Sequence, residues 1–146
     1  MGGRGASNGE YYWKNKDHVY GDEYRNAANP DKLDALNNRD KAYLDNHRIK
    51  YVRQRDENES ITAPLETRTQ GRIYATIDAK GEVKHISFYD RNNKRYKTID
   101  VFDNHKHLGY NHNEYAKRNG LGNHIPLNIK ERMMTNRIID IWRKVR

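Results

Sequence analysis

The chain has no cysteine. Disulfides, thiolate zinc sites and a cysteine nucleophile are therefore excluded. No apolar run approaches the ~20 residues that span a bilayer. The first residues, MGGRGASNGE, carry no apolar core and are not expected to act as a signal peptide. There is no P-loop, no GxSxG and no GxGxxG between a strand and a helix. The short turn Asn119-Gly120-Leu121-Gly122 lacks the Lys-Ser or Lys-Thr of a P-loop. Nucleotide hydrolysis and dinucleotide binding are thus not expected, and neither is a cofactor or a resident metal.

Apolar residues are also scarce, at 34% of 146 residues, with a mean hydropathy of -1.26. That supports one domain with a modest core. Phenylalanine occurs twice and tyrosine eleven times. A tyrosine ring covers apolar surface or stacks on a base while its hydroxyl keeps a polar partner. The formal net charge of +8 points to a polyanionic partner, nucleic acid first.

Residues 1–10 are Gly- and Ser-rich and read as a flexible arm, leaving 11–146 as the domain. Residues 31–47 have the partial apolar stripe of one helix, with Leu33, Leu36, Tyr43 and Leu44. RIKYVR at 48–53 alternates like a short strand, with Ile49 and Tyr51 on one side. Three further strands follow, at 71–78, 83–89 and 95–102. Tight turns at Ala79-Lys80-Gly81 and at Asp90-Arg91-Asn92-Asn93 join them. Alternation sets Ile86 and Phe88 on one face of the middle strand, and Val83, His85, Ser87 and Tyr89 on the other. Residues 103–128 are rich in His, Asn and Gly and read as a loop. Asn128 with Glu131 is a capping box, and Met134, Ile138, Ile141 and Val145 recur at helical spacing. The expected fold is α+β. A three- to four-stranded antiparallel meander packs against an N-terminal helical part and a C-terminal helix.

Three groups of residues carry candidate chemistry. On the strands lie Lys84, His85, Tyr89, Arg95, Tyr96 and Lys97. Cleaving RNA without a metal needs a base, an acid and cations for the charged phosphorane. These residue types supply all three, although alternation sets Lys84 opposite His85 and Tyr89. The bland alternative is the solvent side of a half-buried sheet. The second group is His105, His107, His112 and His124, four of the seven histidines. Its spacing is not that of a zinc helix. A divalent-ion site on His105, Asn113 and His124 is a looser reading, and polar loop residues a plainer one. The third group, Arg91, Lys94, Arg95 and Lys97 beside Tyr96, suits phosphate contact with stacking.

Several stretches together resemble a known family. They are GGRGAS at 2–7, TAPLET at 62–67, GRIYATIDAKGEVKHISFYD at 71–90, NNKRYKTID at 92–100, GYNHNE at 109–114 and IIDIW at 138–142. In this order they resemble the C-terminal domain of phage minor head, or head-morphogenesis, proteins of Gram-positive hosts. Such domains are similar to phage members of the barnase/colicin/RelE-like ribonucleases. The resemblance implies a helical part against a small antiparallel sheet, and a metal-independent, nuclease-like or toxin-like activity. It also implies a location in the host bacterial cytoplasm or on the virion. The chain departs from the family pattern where His105, Lys106 and His107 replace a denser histidine run.

The expected function is an RNA-binding, ribonuclease-like domain. His105, His107 and His112 would form its acid/base group. Lys84, Arg91, Lys94, Arg95 and Lys97 would contact phosphate, with Tyr89 or Tyr96 stacking. Two alternatives stand beside it. One is a non-enzymatic module docking on a nucleoprotein, in head assembly or as an inhibitor of a host defence complex such as CRISPR. The other is a metal-dependent histidine–asparagine–histidine nuclease. No membrane partner is expected.

Overall fold

The computed structural model describes residues 23–56, 61–101, 110–113 and 125–146, with 110–113 and 125 described by backbone only. The glycine-rich arm, His105, His107 and His124 lie outside the described residues.

Among the described residues, seven strands form one sheet in sequence order: β1 (Tyr24–Asn26), β2 (Ile49–Gln54), β3 (Ile73–Ile77), β4 (Val83–Tyr89), β5 (Arg95–Asp100), β6 (Tyr110–Asn113) and β7 (Ile125–Pro126). The helices are α1 (Pro30–Asp34), α2 (Asn38–His47) and α3 (Ile129–Val145). The α+β class holds, with helices before the meander and a helix after it. The sheet is wider than expected and it is mixed. β2 and β3 run parallel, with Ile49 opposite Ile73, while every other neighbouring pair is antiparallel. Short alternating strands do not reveal direction, so the parallel pair was not legible in the pattern.

The single helix expected at 31–47 is two. Asn29 caps α1, its side chain accepting from the Asp31 and Lys32 amides. Asn37 caps α2 by accepting from the Asp40 amide. A short polar side chain that satisfies orphan amides starts a new helix better than it continues an old one. Arg48, at φ 55°, then turns the chain directly into β2. The expected loop at 103–128 contains β6 and β7, which extend the sheet on the far side of β5.

Both hairpin turns form where their residues allow positive φ, at Gly81 (86°) and Asn93 (66°). In each, an aspartate closes the turn. Asp78 accepts from the Lys80 and Glu82 amides, and Asp90 from the Asn92 and Lys94 amides. Two bulges shift the register. Thr76 faces His85 but Ile77 faces Val83, which leaves Lys84 as the extra residue. Val83 thereby joins Ile86 on the helix side, not His85 as strict alternation required.

The main core lies between the sheet and the helices. Ile73, Ala75, Ile77, Ile86, Ile99 and Val101 meet Leu44 of α2 and Ile138, Ile141, Trp142 and Val145 of α3. Two polar links hold α3 in place. The Tyr51 hydroxyl donates to the Ile138 carbonyl at 2.7 Å, and Trp142 Nε1 donates to the Gly81 carbonyl at 2.8 Å. The capping box forms as expected, with Asn128 accepting from the Glu131 amide and Glu131 from the Asn128 amide. No helix among the described residues is long and apolar enough to cross a membrane.

Asp40 ties α2 to α3. Its buried carboxylate accepts from Lys144 Nζ at 2.6 Å and from Arg137 at 3.1 Å. The Lys144 hydrogen bond, followed by Arg137, holds it below the usual aspartate value against the opposing effect of burial. Asp40→Asn leaves two cations facing a neutral amide and is expected to cost about 1–3 kcal/mol at neutral pH. An unfolded aspartate titrates near ~3.9 and the folded group lower. The contribution is therefore present above that range and is lost as pH falls through the folded value. Urea unfolding at pH 7 and pH 3 should show the gap between wild type and variant closing at the lower pH.

Candidate functional site

The face of the sheet turned away from the helices carries the chemistry. It holds a second, smaller core of Tyr24, Val52, Tyr74 and Tyr89. Beside this core stand Thr76, His85, Ser87, Thr98 and Asp100 on adjacent strands. Residues 61–67 cross this face as a strap. Tyr24 donates its hydroxyl to the Thr62 carbonyl at 3.0 Å, and Tyr89 donates to the Pro64 carbonyl. The Thr67 and Tyr74 hydroxyls lie 3.2 Å apart. Burial, then the neighbouring Tyr74, pushes the Tyr89 hydroxyl well above its ordinary value, and burial raises Tyr24. Both therefore remain donors at neutral pH.

His85 and Asp100 are direct cross-strand partners. Nδ1 of His85 lies 3.2 Å from Asp100 Oδ1, with the imidazole 16% exposed. The geometry of this contact is not that of a hydrogen bond. The other ring nitrogen, Nε2, lies 3.4 Å from the Ile61 carbonyl of the strap. An imidazole beside a carboxylate is a candidate group for proton transfer. Ser87 Oγ and Thr98 Oγ1 are 3.3 Å apart one row along. The Thr76 hydroxyl, opposite His85, is buried without a hydrogen-bond partner among the described residues.

Arg95 reaches the same face, donating from its guanidinium to the Ala63 carbonyl at 3.1 Å. Tyr89 lies there too, but it is 2% exposed, and a ring so placed is closed to stacking while the strap is down. Lys97 is on the opposite face. Its ammonium sits 3.0 Å from Glu131 of α3 and 4.3 Å from the Phe88 ring. Lys94 is exposed and pairs with Glu66. Arg91 is exposed in the β4–β5 turn, and Tyr96 is 43% exposed beside Phe88. Lys84 occupies the bulge. The seven side chains expected to contact nucleic acid thus divide among two faces, a turn and a bulge. The strand period and the bulges, not charge, decide each position. The backbone of His112 lies opposite Thr98 on β6.

The Asp100 partner of His85 was not legible in the sequence. Continuing the hairpin without interruption from Tyr89 opposite Arg95 would set Ile99 across from His85. The one-residue shift between Phe88 and Tyr89 moves Asp100 there instead. Among the described residues, no group of three or more His, Asp or Glu side chains is placed to hold a metal ion.

No family model matches the chain, and neither a curated protein nor a solved structure matches it.

The division of the cations has a measurable consequence. Lys97→Met removes the part-buried ion pair to Glu131 and is expected to lower stability by about 1–2 kcal/mol. Lys94→Ala removes an exposed pair and should change it by under about 0.5 kcal/mol. Chemical unfolding of the two variants side by side checks the ranking.

Proposed function

We propose that this protein is a phage-derived, RNA-binding domain of the ribonuclease-like kind that cleaves RNA without a metal. The observation that carries the reading is one sheet face bearing His85 beside the Asp100 carboxylate, with the Arg95 guanidinium on the same face. The net charge of +8 supplies the long-range attraction to a polyanion. The resemblance to phage ribonuclease-like domains supports the same class.

In this reading the substrate 2′-hydroxyl attacks the adjacent phosphorus and loses its proton to an imidazole. The 5′-oxygen leaves with a proton from a second acid, giving a cyclic phosphate and a free hydroxyl. His85 would carry one proton transfer. His105, His107 and His112 remain the candidates for the other, with His112 the one whose backbone lies on a strand of the same sheet. Arg95 offsets charge that builds on the phosphorane.

Purified protein is expected to cleave single-stranded RNA in the presence of a chelator. His85→Ala and His112→Ala should each slow cleavage by about 10²–10⁴-fold while the circular dichroism spectrum is retained. RNA bound with steep salt dependence but left intact would instead identify the non-enzymatic module that docks on a nucleoprotein. Activity lost to chelator and restored by magnesium or zinc would identify the metal-dependent reading on His105, Asn113 and His124.

A further inference from the structure

The strap is attached in an unusual way. Five consecutive carbonyls, those of residues 61 to 65, face donors of the sheet. Ile61 faces His85 Nε2, Thr62 accepts from the Tyr24 hydroxyl, and Ala63 accepts from the Arg95 guanidinium. Pro64 accepts from the Tyr89 hydroxyl and Leu65 from the Arg95 amide. Little apolar area holds the strap down. Ala63 and Pro64 are buried, but Leu65 is 38% exposed and Ile61 is half-buried. Beneath lie the rings of Tyr24, Tyr74 and Tyr89, with Tyr74 and Tyr89 edge to face at 5.3 Å.

A donor that satisfies a carbonyl oxygen satisfies a phosphate oxygen equally well, and a charged donor does so more strongly. A row of carbonyls along an extended segment is thus an internal stand-in for the oxygens of an RNA backbone. Under it are aromatic rings on a sheet face, the surface on which single-stranded bases stack.

We propose that residues 61–66 are a built-in cover over the RNA-binding face, and that RNA binds by lifting the strap. Phosphates then take the strap's place on Arg95 and His85, and bases stack on Tyr24, Tyr74 and Tyr89. This rests on the RNA reading given above. On Arg95 and His85 a contact released from a carbonyl is remade to a phosphate, and the rings are covered again by bases. The Thr76 hydroxyl, buried without a hydrogen-bond partner among the described residues, gains access to a ligand or water when the strap rises. Apparent affinity is reduced by the fraction of molecules in which the cover is closed.

Glu66 and Lys94 face each other across an antiparallel bridge, where Cα atoms lie about 4.5–5.5 Å apart. That suits a disulfide, and the chain has no cysteine to interfere. The test is the double variant Glu66→Cys/Lys94→Cys, titrated oxidised and reduced with a fluorescent single-stranded RNA of about ten nucleotides. The oxidised form is expected to bind at least about tenfold more weakly than the reduced form of the same variant, both of which lack the Lys94 ammonium. Equal affinity in the two forms would sink the strap proposal and leave the RNA reading standing. Absence of binding by wild type and both forms would sink the RNA reading, and the proposal with it. Tyr24→Phe/Tyr89→Phe gives a second route that needs no disulfide. It cuts two tethers and keeps the rings, so it should bind RNA more tightly than wild type although it unfolds more readily. Weaker binding by this variant would mean that the hydroxyls serve only to hold the fold, against the proposal.

Discussion

β2 and β3 run parallel, side by side between β1 and β4. Parallel neighbours cannot be joined by a tight turn, so the chain between them must cross a face. One face is already occupied by α2 and α3. The connection therefore crosses the other, and its described part is the strap at 61–67. The cover over the candidate site follows from this routing. It sets a row of backbone carbonyls over the sheet, and those carbonyls require donors below them.

The two faces meet that requirement differently. On the helix side, burial of Ile, Val, Leu and Trp side chains removes apolar surface from water, and a few polar links set the position of α3. On the strap side, the rings of Tyr24, Tyr74 and Tyr89 fill the space while their hydroxyls reach strap oxygens. Phenylalanine would fill the same space and leave the carbonyls dry and unpaired, at a cost of about 1–3 kcal/mol each. The high ratio of tyrosine to phenylalanine thus has a local structural cause at these positions, as well as a proposed functional one. Charge divides in the same manner. Lys97, Lys144 and Arg137 neutralise buried or part-buried carboxylates on the helix side, whereas Arg95 and His85 face the strap.

Much of the architecture was legible from residue pattern. The β3–β5 meander, its two Asp- and Gly- or Asn-bearing turns and the capped α3 all rest on interactions between residues close in the chain. The split of 31–47 into α1 and α2 was also locally encoded, in the capping side chains of Asn29 and Asn37. Yet a partial apolar stripe running through both segments masked it. β6 was hidden in a stretch whose polar residues resemble a loop. Its membership in the sheet comes from pairing with β5. Within the candidate site, His85 stood out as an imidazole on a strand, but Asp100 did not stand out as its partner. The histidine pair His105 and His107 lies outside the described residues.

What the sequence by itself determined was the set of local elements, the surplus of positive charge and the supply of tyrosine, histidine and arginine. Those depend on turn chemistry, period and composition, each settled within a few residues. Tertiary structure alone decided which of these side chains meet. A bulge one residue long brought Asp100 to His85 in place of Ile99, and another turned Val83 into the core. The parallel pair sent the strap over Tyr24, Tyr89 and Arg95, while strand alternation sent Lys97 to Glu131. A sheet has a side-chain period of two, so a shift of one residue changes the face and the partner of every side chain beyond it. Such shifts are set by the whole sheet, and no short stretch of sequence carries them.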